Sequence, residues 1–400
     1  MAVKTVALVW EQGSGFEHLA PLLSIGAALK RNGYRPVFIL HDVAKMEATI
    51  LAENFEYVQA PVWHYTYIAQ HGPHINFTQT LFSVGYCDVQ GLLAMVKAWL
   101  NLLLLIKPDI LLFDYSPTAL LASRALNIPR VLCGNAFSIP PQKSPLPAYF
   151  PRKKTAKYNE QMEAEEAQCV HVVNQVLTQL KLEKIQYTFE IYQSDYSFIT
   201  SGPAMDIYES RQEGKYLGII STDNLGSKNI VWPEVGDKKI FVYVRSSYNC
   251  LDVLLEQLLK TSARYVVYGV DRKRKQQFAG ENIYYTDTFV NISAIREECD
   301  AAVIHGGNLI EKFSEVGKPL LLLPMTVENL MMANKLQKNG TGLVYRTSQR
   351  IEQLQLYLKQ LVSNKQLLQA TASFSEKMLG YSHDKQLQSI VNKVDELTNK

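Results

Sequence analysis

Short apolar runs alternate with segments of helical spacing along the first third of the chain. Each of the runs TVALVW, PVFIL, YVQAPV, DILLFD and PRVLCGN has about the length of one buried strand. Leucines recur at helical spacing from Leu19 to Leu29, and Gly33 marks the end of that helix. Strands and helices in alternation predict a parallel sheet that is covered by helices on both faces.

A second alternation follows in the C-terminal half. The strand-like runs KIFVYVR, YVVYGV, NIYYTDT, AAVIHGG and KPLLLLP stand among helical stretches such as DVLLEQLLK and ENLMMANKLQKNG. Between the two alternations, a charged segment at 151–200 has a helical pattern, and an irregular segment rich in Gly, Asp, Asn and Ser follows it. Because 400 residues exceed one ordinary core, we predict two domains. The predicted bounds are 1–205 for an N-terminal α/β domain, 206–238 for a linker, 239–380 for a C-terminal α/β domain, and 381–400 for a helix that could pack back on the N-terminal domain.

The overall composition excludes several classes of protein. Hydrophobic residues make up 47% of the chain and charged residues 20%, a balance typical of a globular fold and not of a disordered one. The net charge of +3 is too small to indicate a nucleic-acid partner. The five cysteines are scattered and form no C-x-x-C pair, so we expect a reduced, cytoplasmic protein.

The most hydrophobic stretch, at 92–106, is interrupted by Lys97 and Asn101. Because a membrane-spanning helix needs about 20 apolar residues, we predict a buried helix here and no transmembrane segment. The basic segment PRKKTAK at 151–157 could make weak peripheral contact with an acidic membrane surface, although an exposed loop is the simpler interpretation.

Two predicted strand ends in the first half carry titratable side chains. The turn GSGFEH places His18 after the first strand, and Asp114 ends the strand DILLFD. Because ligands collect at the carboxyl ends of parallel strands, these two side chains could meet on one rim of the sheet. A carboxylate that holds an imidazole in one tautomer makes it a general base. The structural alternatives are a hydrogen-bonded His18 at a helix start and an Asp114 that caps a helix.

A third strand end carries the run His305, Gly306 and Gly307. Such a turn offers backbone N–H groups and a helix N-terminus to an anion, and the alternative is a tight turn with an incidental histidine. The sequence contains no D-x-D pair, so we expect no divalent-metal clamp and no metal site.

Three segments carry a resemblance to a known family. They are GFEHLAPLLSIGAALKRNGY, KPDILLFDYSPTALLASRALNIPRVL and CDAAVIHGGNLIEKFSEVGKPLLLLPMTVENLMMANKLQKNGTGLVY. Together they resemble a GT-B glycosyltransferase of the UDP-glycosyltransferase superfamily, of the bacterial macrolide or flavonoid type. The resemblance implies an α/β fold of two Rossmann-like domains facing each other across a cleft. The N-terminal domain would bind the acceptor, and the C-terminal domain would bind the nucleotide sugar.

The resemblance also assigns roles to individual residues. His18 matches the catalytic base of the family, and Asp114 matches the carboxylate that orients this base. Glu328 and Asn329 match an acid–amide pair that holds sugar hydroxyls. The donor-binding residues that the resemblance implies are Gly15, Ser246, Phe289, Val290, His305, Gly307, Asn308, Leu309, Glu328 and Asn329.

The predicted donor site departs from the family pattern in two places. Leu309 lies near the position where the family has a phosphate-contacting Ser or Thr, in a segment that is one residue short. The stretch that would bind the nucleotide base is FVNI at 289–292, where the family usually has Pro-Gln. Glu17 also stands where the family usually has glycine before the catalytic histidine.

The predicted reaction is an inverting, metal-independent transfer of a sugar from a nucleotide diphosphate sugar to a hydroxyl of a small apolar or aromatic acceptor. The nucleotide sugar, expected to be a UDP-sugar, is a co-substrate, and no further cofactor is expected. A non-catalytic GT-B protein that binds a lipophilic ligand or a partner enzyme is the alternative function. The aromatic loop that would form the acceptor wall contributes Trp63, His64, Tyr65, His74, Phe82 and Tyr86.

Overall fold

A computed structural model of the protein describes residues 3–13, 16–44, 54–64, 74–150, 156–209, 211, 213–220, 226, 229–287, 290–378 and 382–399. The described strands are β1 (Thr5–Trp10), β2 (Arg35–Leu40), β3 (Glu56–Gln59), β4 (Ile110–Asp114), β5 (Arg130–Gly134), β6 (Tyr196–Ile199), β7 (Lys215–Tyr216), β8 (Lys239–Tyr243), β9 (Arg264–Tyr268), β10 (Ile283–Thr286), β11 (Ala301–Ile304), β12 (Leu320–Leu322) and β13 (Gly342–Val344).

Helices lie between most of the described strands. The described α-helices are α1 (Phe16–Arg31), α2 (Phe77–Phe82), α3 (Val89–Ile106), α4 (Pro117–Ser123), α5 (Ala156–Gln179), α6 (Leu251–Leu259), α7 (Arg272–Gln277), α8 (Ile292–Glu298), α9 (Asn308–Ser314), α10 (Val327–Lys338), α11 (Ile351–Ser363), α12 (Lys365–Glu376) and α13 (His383–Thr398).

The chain divides into two compact units. The first consists of Met1–Ile220 and Ser382–Lys400, and the second of Ser221–Tyr381. In the first unit the strands lie in the order β3-β2-β1-β4-β5-β6-β7, and in the second in the order β10-β9-β8-β11-β12-β13. Every pair of neighbouring strands is parallel. The predicted α/β architecture with two Rossmann-like sheets is confirmed.

Each sheet reverses its strand order at one place, between β1 and β4 in the first unit and between β8 and β11 in the second. At such a switch point the loops that follow the two strands diverge to opposite faces, which leaves a crevice at their carboxyl ends. The sequence places His18 and Asp114 after the strands of the first switch point, and His305 after a strand of the second.

The core of the first unit surrounds β1, which is buried along its whole length. Apolar residues of α1 cover one face of the sheet there, together with four residues from the end of the chain. These four, on one stripe of α13, are Leu387, Ile390, Val391 and Val394. Gln386 also donates a hydrogen bond to the carbonyl of Ile219 (3.2 Å). The last helix therefore belongs to the first unit.

Two segments differ from their predicted structure. Residues 206–220, expected to begin the linker, lie in the first unit, where Lys215–Tyr216 pairs with β6 at the sheet edge. The strand Tyr196–Ile199 itself falls in the segment expected to be helical. Both strands are too short to show a period of their own, so only pairing with a neighbouring strand defines them.

We expected the apolar helix α3 to be buried. In the structure only one face of α3 is buried, and the other face is exposed. By length and composition it could cross a membrane, with a mean hydropathy of 1.8. Leu104 and Leu105 near its end are 52% and 81% exposed. Its buried residues recur at helical spacing and are Leu92, Leu93, Val96, Trp99 and Leu103.

Candidate active site

The first switch point brings His18 and Asp114 into direct contact. Asp114 ends β4 opposite Trp10 of β1, and His18 lies in the first turn of the helix that follows β1. The Nδ1 atom of His18 is 2.9 Å from Oδ2 of Asp114. The two residues are only 6% and 7% exposed, so little water competes for this hydrogen bond.

The contact fixes what the imidazole can do chemically. When Nδ1–H donates to the Asp114 carboxylate, the basic lone pair of His18 lies on Nε2. The carboxylate also stabilises the imidazolium that forms once Nε2 accepts a proton. Such an arrangement can serve as a general base with its orienting group.

The surroundings hold the imidazole in one orientation. The indole of Trp10 stacks on the ring of His18, with centroids 5.5 Å apart and planes 17° apart. Gly13 has a φ of +83°, and a Cβ atom there would lie 2.3 Å from Nε2 of His18. Gly134 makes room for the hydroxyl of Ser138 and for Asp114, because a Cβ atom there would lie 2.3 Å from Oγ of Ser138 and 3.0 Å from Oδ1 of Asp114. The glycine-rich turn before His18 thus admits an imidazole edge.

Aromatic rings continue from His18 into the first unit. The ring of Tyr115 lies 6.1 Å from His18, and Tyr115 has an unusual positive φ of 44° for a bulky residue. Phe77 and Phe137 pack on Tyr115 with centroid distances of 6.1 and 6.0 Å. Sequence reasoning missed this cluster, although the position of Tyr115 directly after Asp114 was an available signal.

The residues expected to form the acceptor wall divide into two groups. Trp63 is half-buried against the backbone of Gly85 and Gly91, where added Cβ atoms would lie 2.8 and 2.5 Å from its ring. His64 is exposed. His74 lies with Nε2 3.2 Å from the hydroxyl of Ser83, and burial lowers the pKa of its imidazole.

Phe82 and Tyr86 do not suit the acceptor role that we expected. They are 2% and 0% exposed and belong to the packed core. Phe82 ends the short helix α2, and the turn after it directs both side chains inward. Tyr65 lies outside the described residues.

A buried carboxylate that the sequence did not single out lies beside the pair. Glu11 follows β1 directly and is 1% exposed. One of its oxygens, Oε2, accepts hydrogen bonds from the backbone N–H groups of Thr118 (2.8 Å) and Ala119 (3.0 Å). Burial raises the pKa of Glu11 from 4.5 to about 7, and these hydrogen bonds oppose the shift.

In the second unit, His305 follows β11 and is buried. Its Nδ1 lies 3.3 Å from the carbonyl oxygen of Tyr243, and its ring packs against the Tyr243 ring with centroids 4.8 Å apart. Burial lowers the pKa of His305 to about 4. The imidazole is therefore neutral near pH 7 and brings no positive charge to this turn.

The turn after His305 is built from two glycines with positive φ, Gly306 at +155° and Gly307 at +73°. A Cβ atom at Gly306 would lie 2.2 Å from Nδ2 of Asn329. Asn329 is buried in the first turn of α10. The backbone N–H of Asn329 donates a hydrogen bond to the hydroxyl of Thr326, the cap residue of this helix (3.2 Å). The structure thus brings the predicted phosphate turn and the predicted sugar-binding amide together.

The other expected donor residues occupy varied positions. Ser246 follows β8, and its hydroxyl donates to the carbonyl of Gly269 (2.8 Å). Val290 is buried. Half-buried positions in or beside the first turns of α9 and α10 are held by Asn308, Leu309 and Glu328. Gly15 and Phe289 lie outside the described residues.

No group of three or more His, Cys, Asp or Glu side chains in the described residues could hold a metal ion. Metal independence stays a prediction, because it concerns the reaction and not the arrangement of these side chains.

Known proteins with a similar sequence segment or a similar structure are glycosyltransferases. Residues 256–387 match the glycosyltransferase family 28 C-terminal domain. No curated protein matches the sequence. Among solved structures, SsfS6, a glycosyltransferase of Streptomyces sp. SF2575, is similar with a TM-score of 0.66 at 16% identity, over 98% of this chain and 99% of its own.

Two further structures are similar over comparable lengths. The calicheamicin glycosyltransferase CalG4 has a TM-score of 0.69 at 15% identity, over 100% of this chain and 99% of its own. The spinosyn rhamnosyltransferase SpnG, solved in complex with thymidine diphosphate, has a TM-score of 0.69 at 14% identity, over 98% of this chain and 100% of its own. The resemblance predicted from the sequence is confirmed. The chain has the fold of these GT-B glycosyltransferases, and its residues 256–387 are similar to the family 28 C-terminal domain.

Proposed function

We propose that this protein transfers a sugar from a nucleotide diphosphate sugar to a hydroxyl group of a small acceptor. The observation that carries the proposal is the buried contact between His18 and Asp114 at a sheet switch point, in a chain with a glycosyltransferase fold. Such a pair is suited to removing a proton from an alcohol or phenol near neutral pH.

In the proposed reaction, Nε2 of His18 accepts the proton of the acceptor hydroxyl as its oxygen attacks the anomeric carbon. The carbon–oxygen bond to the diphosphate breaks, and the electron pair leaves with the nucleoside diphosphate. Attack from the side opposite the leaving group inverts the anomeric centre. Asp114 stabilises the imidazolium, whose proton returns to solvent after each turnover.

The leaving group would be received by the turn that follows β11. Backbone N–H groups at Gly306 and Gly307 are suited to an anionic diphosphate, because glycine lets the backbone approach closely. His305 is neutral near pH 7, so we assign the stabilisation of the leaving group to the backbone dipoles and not to an imidazolium. Asn329, in contact with this turn, would hold a sugar hydroxyl.

The acceptor is proposed to be apolar or aromatic. The half-buried ring of Tyr115 lies beside His18 and continues into the buried rings of Phe77 and Phe137. A flat aromatic acceptor would stack on such a ring with its hydroxyl close to the imidazole. The similar calicheamicin glycosyltransferase CalG4 and spinosyn rhamnosyltransferase SpnG, the latter also solved in complex with spinosyn aglycone, suggest natural products as a first panel of acceptors.

Sugar transfer tests this proposal. The protein is incubated with UDP- and dTDP-sugars and a panel of phenols and macrolide aglycones, and products are identified by mass spectrometry. We expect transfer that persists in EDTA and falls below about a tenth in His18→Ala, while His171→Ala, an exposed histidine on α5, keeps the wild-type rate. No nucleoside diphosphate binding in calorimetry would favour the non-catalytic alternative, and dependence on added Mn²⁺ or Mg²⁺ would contradict a metal-independent mechanism.

A further inference from the structure

Glu11 joins two chain segments that surround His18. Its carboxylate accepts the N–H groups of Thr118 and Ala119 in the first turn of α4. The cap residue of that helix, Ser116, forms no side-chain cap, because its hydroxyl donates to the carbonyls of Val9 and Asp114. Glu11 therefore satisfies helix N–H groups from a position 107 residues earlier in the chain.

The residues on either side of Glu11 contact the imidazole. Trp10 stacks on His18, and its indole N–H donates to the carbonyl of Gln12 (2.6 Å). The backbone N–H of Gln12 donates to the carbonyl of Tyr115 (3.0 Å), directly after Asp114. Gly13 lies against Nε2 of the ring. Trp10 and Gly13, which contact the imidazole, thus belong to the segment that the hydrogen bonds of Glu11 hold against α4.

We infer that Glu11 is a positioning residue for His18: by anchoring the segment from Trp10 to Gly13 on the first turn of α4, it keeps the imidazole directed at Asp114. The inference rests on the proposed role of His18 as base. Glu11 acts through Trp10 and Gly13 and does not itself exchange a proton with substrate.

A carboxylate is an unusual choice for this position. Burial raises its pKa to about 7, so the charged form is disfavoured in the folded protein. A neutral side chain would avoid the desolvation cost. An ionised carboxylate, however, accepts both N–H groups of a helix start in charge-assisted hydrogen bonds, which are stronger than those of an amide. The position therefore gains rigidity at the expense of stability.

Several titratable and polar groups face Glu11. Tyr86 and Tyr192 interact with it electrostatically, and burial raises the pKa of both phenols well above 10, which keeps them neutral. The amide of Gln12 lies 3.2 Å from Oε1. The ring of His41 contacts the backbone carbonyl of Glu11 (2.6 Å).

The test compares Glu11→Gln with Glu166→Gln. Glu166 is another buried carboxylate of the first unit. It accepts a backbone N–H from Thr188 (3.1 Å), at the start of the short 3-10 helix Thr188–Tyr192, and a hydroxyl hydrogen bond from Ser144 (2.7 Å). The two variants therefore make the same chemical change in similar surroundings, but only Glu11 is connected to His18. Circular dichroism establishes that both fold, and Glu11→Asp, which is too short to reach both N–H groups, is the second variant at the site.

The readout is the proton on Nδ1 of His18, which a buried hydrogen bond to a carboxylate shifts far downfield in the proton NMR spectrum. Its identity is established by its loss in Asp114→Asn. We expect the resonance to persist in wild type and Glu166→Gln, and to broaden or disappear in Glu11→Gln and Glu11→Asp. An unchanged resonance in both Glu11 variants would overturn the inference.

Kinetics supply the second readout. For Glu11→Gln we expect kcat to fall about tenfold, with the KM for the nucleotide sugar within about twofold, because the expected donor residues other than Gly15 belong to the second unit. A fall in Glu166→Gln of the same size would mean a general structural effect and would contradict positioning. Absence of any sugar transfer would contradict the proposed function. The NMR comparison does not depend on activity and would still decide whether Glu11 positions His18.

Discussion

At the scale of single residues, the candidate base depends on what is absent next to it as much as on what is present. The edge of His18 lies where a side chain at residue 13 would be, and Gly134 leaves space in the same way beside Asp114. An imidazole needs a fixed ring orientation to act as base, and bare backbone on one side with an indole on the other provides it.

Gly13→Ala tests this dependence. The new Cβ would lie 2.3 Å from Nε2, and the φ of +83° strains any L residue, so we expect kcat to fall about tenfold or more. Gly33→Ala is the matched control, because its φ is +82° but nothing lies within 4 Å of the added atom. Steady-state kinetics of both variants make the comparison, and equal losses would show that backbone strain and not the imidazole contact matters.

Asp114→Asn separates orientation from proton transfer. The amide cannot accept the Nδ1–H in the same way and favours the other tautomer, so we expect kcat/KM to fall about a hundredfold or more. If Asp114 acts only through His18, the double variant with His18→Ala should lose little beyond His18→Ala alone. Additive losses, measured with the same donor and acceptor, would mean that the two residues act independently.

Sequence reasoning found His18 and Asp114 because each follows a recognisable buried strand, and parallel strands bring their ends together. The sequence did not indicate a role for Glu11, because the partners of Glu11, Thr118 and Ala119, are 107 and 108 residues away and no local sequence pattern predicts these contacts. It misplaced Tyr86 for the opposite reason: an aromatic residue in a loop-like stretch resembles a ligand wall until burial is known.

At the scale of elements, helices and strands long enough to show a hydrophobic period were predictable from the sequence. Short strands that are defined only by pairing with a neighbouring strand were not. The long strand β1 and the helix α1 correspond to strong patterns in the sequence. The strands β6, β7 and β13 have only four, two and three residues, and hydrogen bonds to a neighbouring strand define each of them. Such elements are too short for periodicity to detect.

The strand–turn–helix element from β11 to α9 supports the next prediction. In Gly306→Ala the new Cβ would lie 2.2 Å from Asn329, so the turn or the amide must move. We expect the affinity for UDP or dTDP to fall about tenfold or more, because the backbone N–H groups after Gly306 change direction. Calorimetry measures it, with Gly340→Ala as the control, since Gly340 also has a positive φ (+72°) but an open neighbourhood. Equal affinities for both variants would remove this turn from the donor site.

At the scale of the whole molecule, the alternation of strands and helices was enough to predict two parallel sheets, and their reversed strand order then places both candidate sites at switch points. The bound between the units was harder to predict, because residues 206–220, expected to belong to the linker, lie in the first unit. The chain returns to the first unit through α13, where the sequence led us to expect a helix that could pack back. Its apolar stripe is visible in the sequence, but the surface that it covers is contributed by residues about 370 positions earlier, such as Leu19 and Leu23.

The raised pKa of Glu11 has a consequence for the stability of the first unit. Because the folded-state pKa of about 7 lies above the ordinary 4.5, the folded state holds this proton more tightly than the unfolded chain. The associated stability is complete below about pH 4.5 and is lost as the pH rises through 7. The loss is on the order of 3 kcal/mol, following from the difference between the two pKa values.

Glu11→Gln removes this titration, so its unfolding free energy should rise relative to wild type by an amount on the order of 3 kcal/mol between about pH 5 and pH 8. Urea unfolding followed by tryptophan fluorescence measures it, in a Trp232→Phe background so that the remaining signal comes from Trp10, Trp63 and Trp99 of the first unit. A difference that stays constant over this range would contradict the prediction. A variant that is more stable at pH 8 but slower in turnover would show that the carboxylate is retained for His18 and against stability, a trade expected of residues at functional sites.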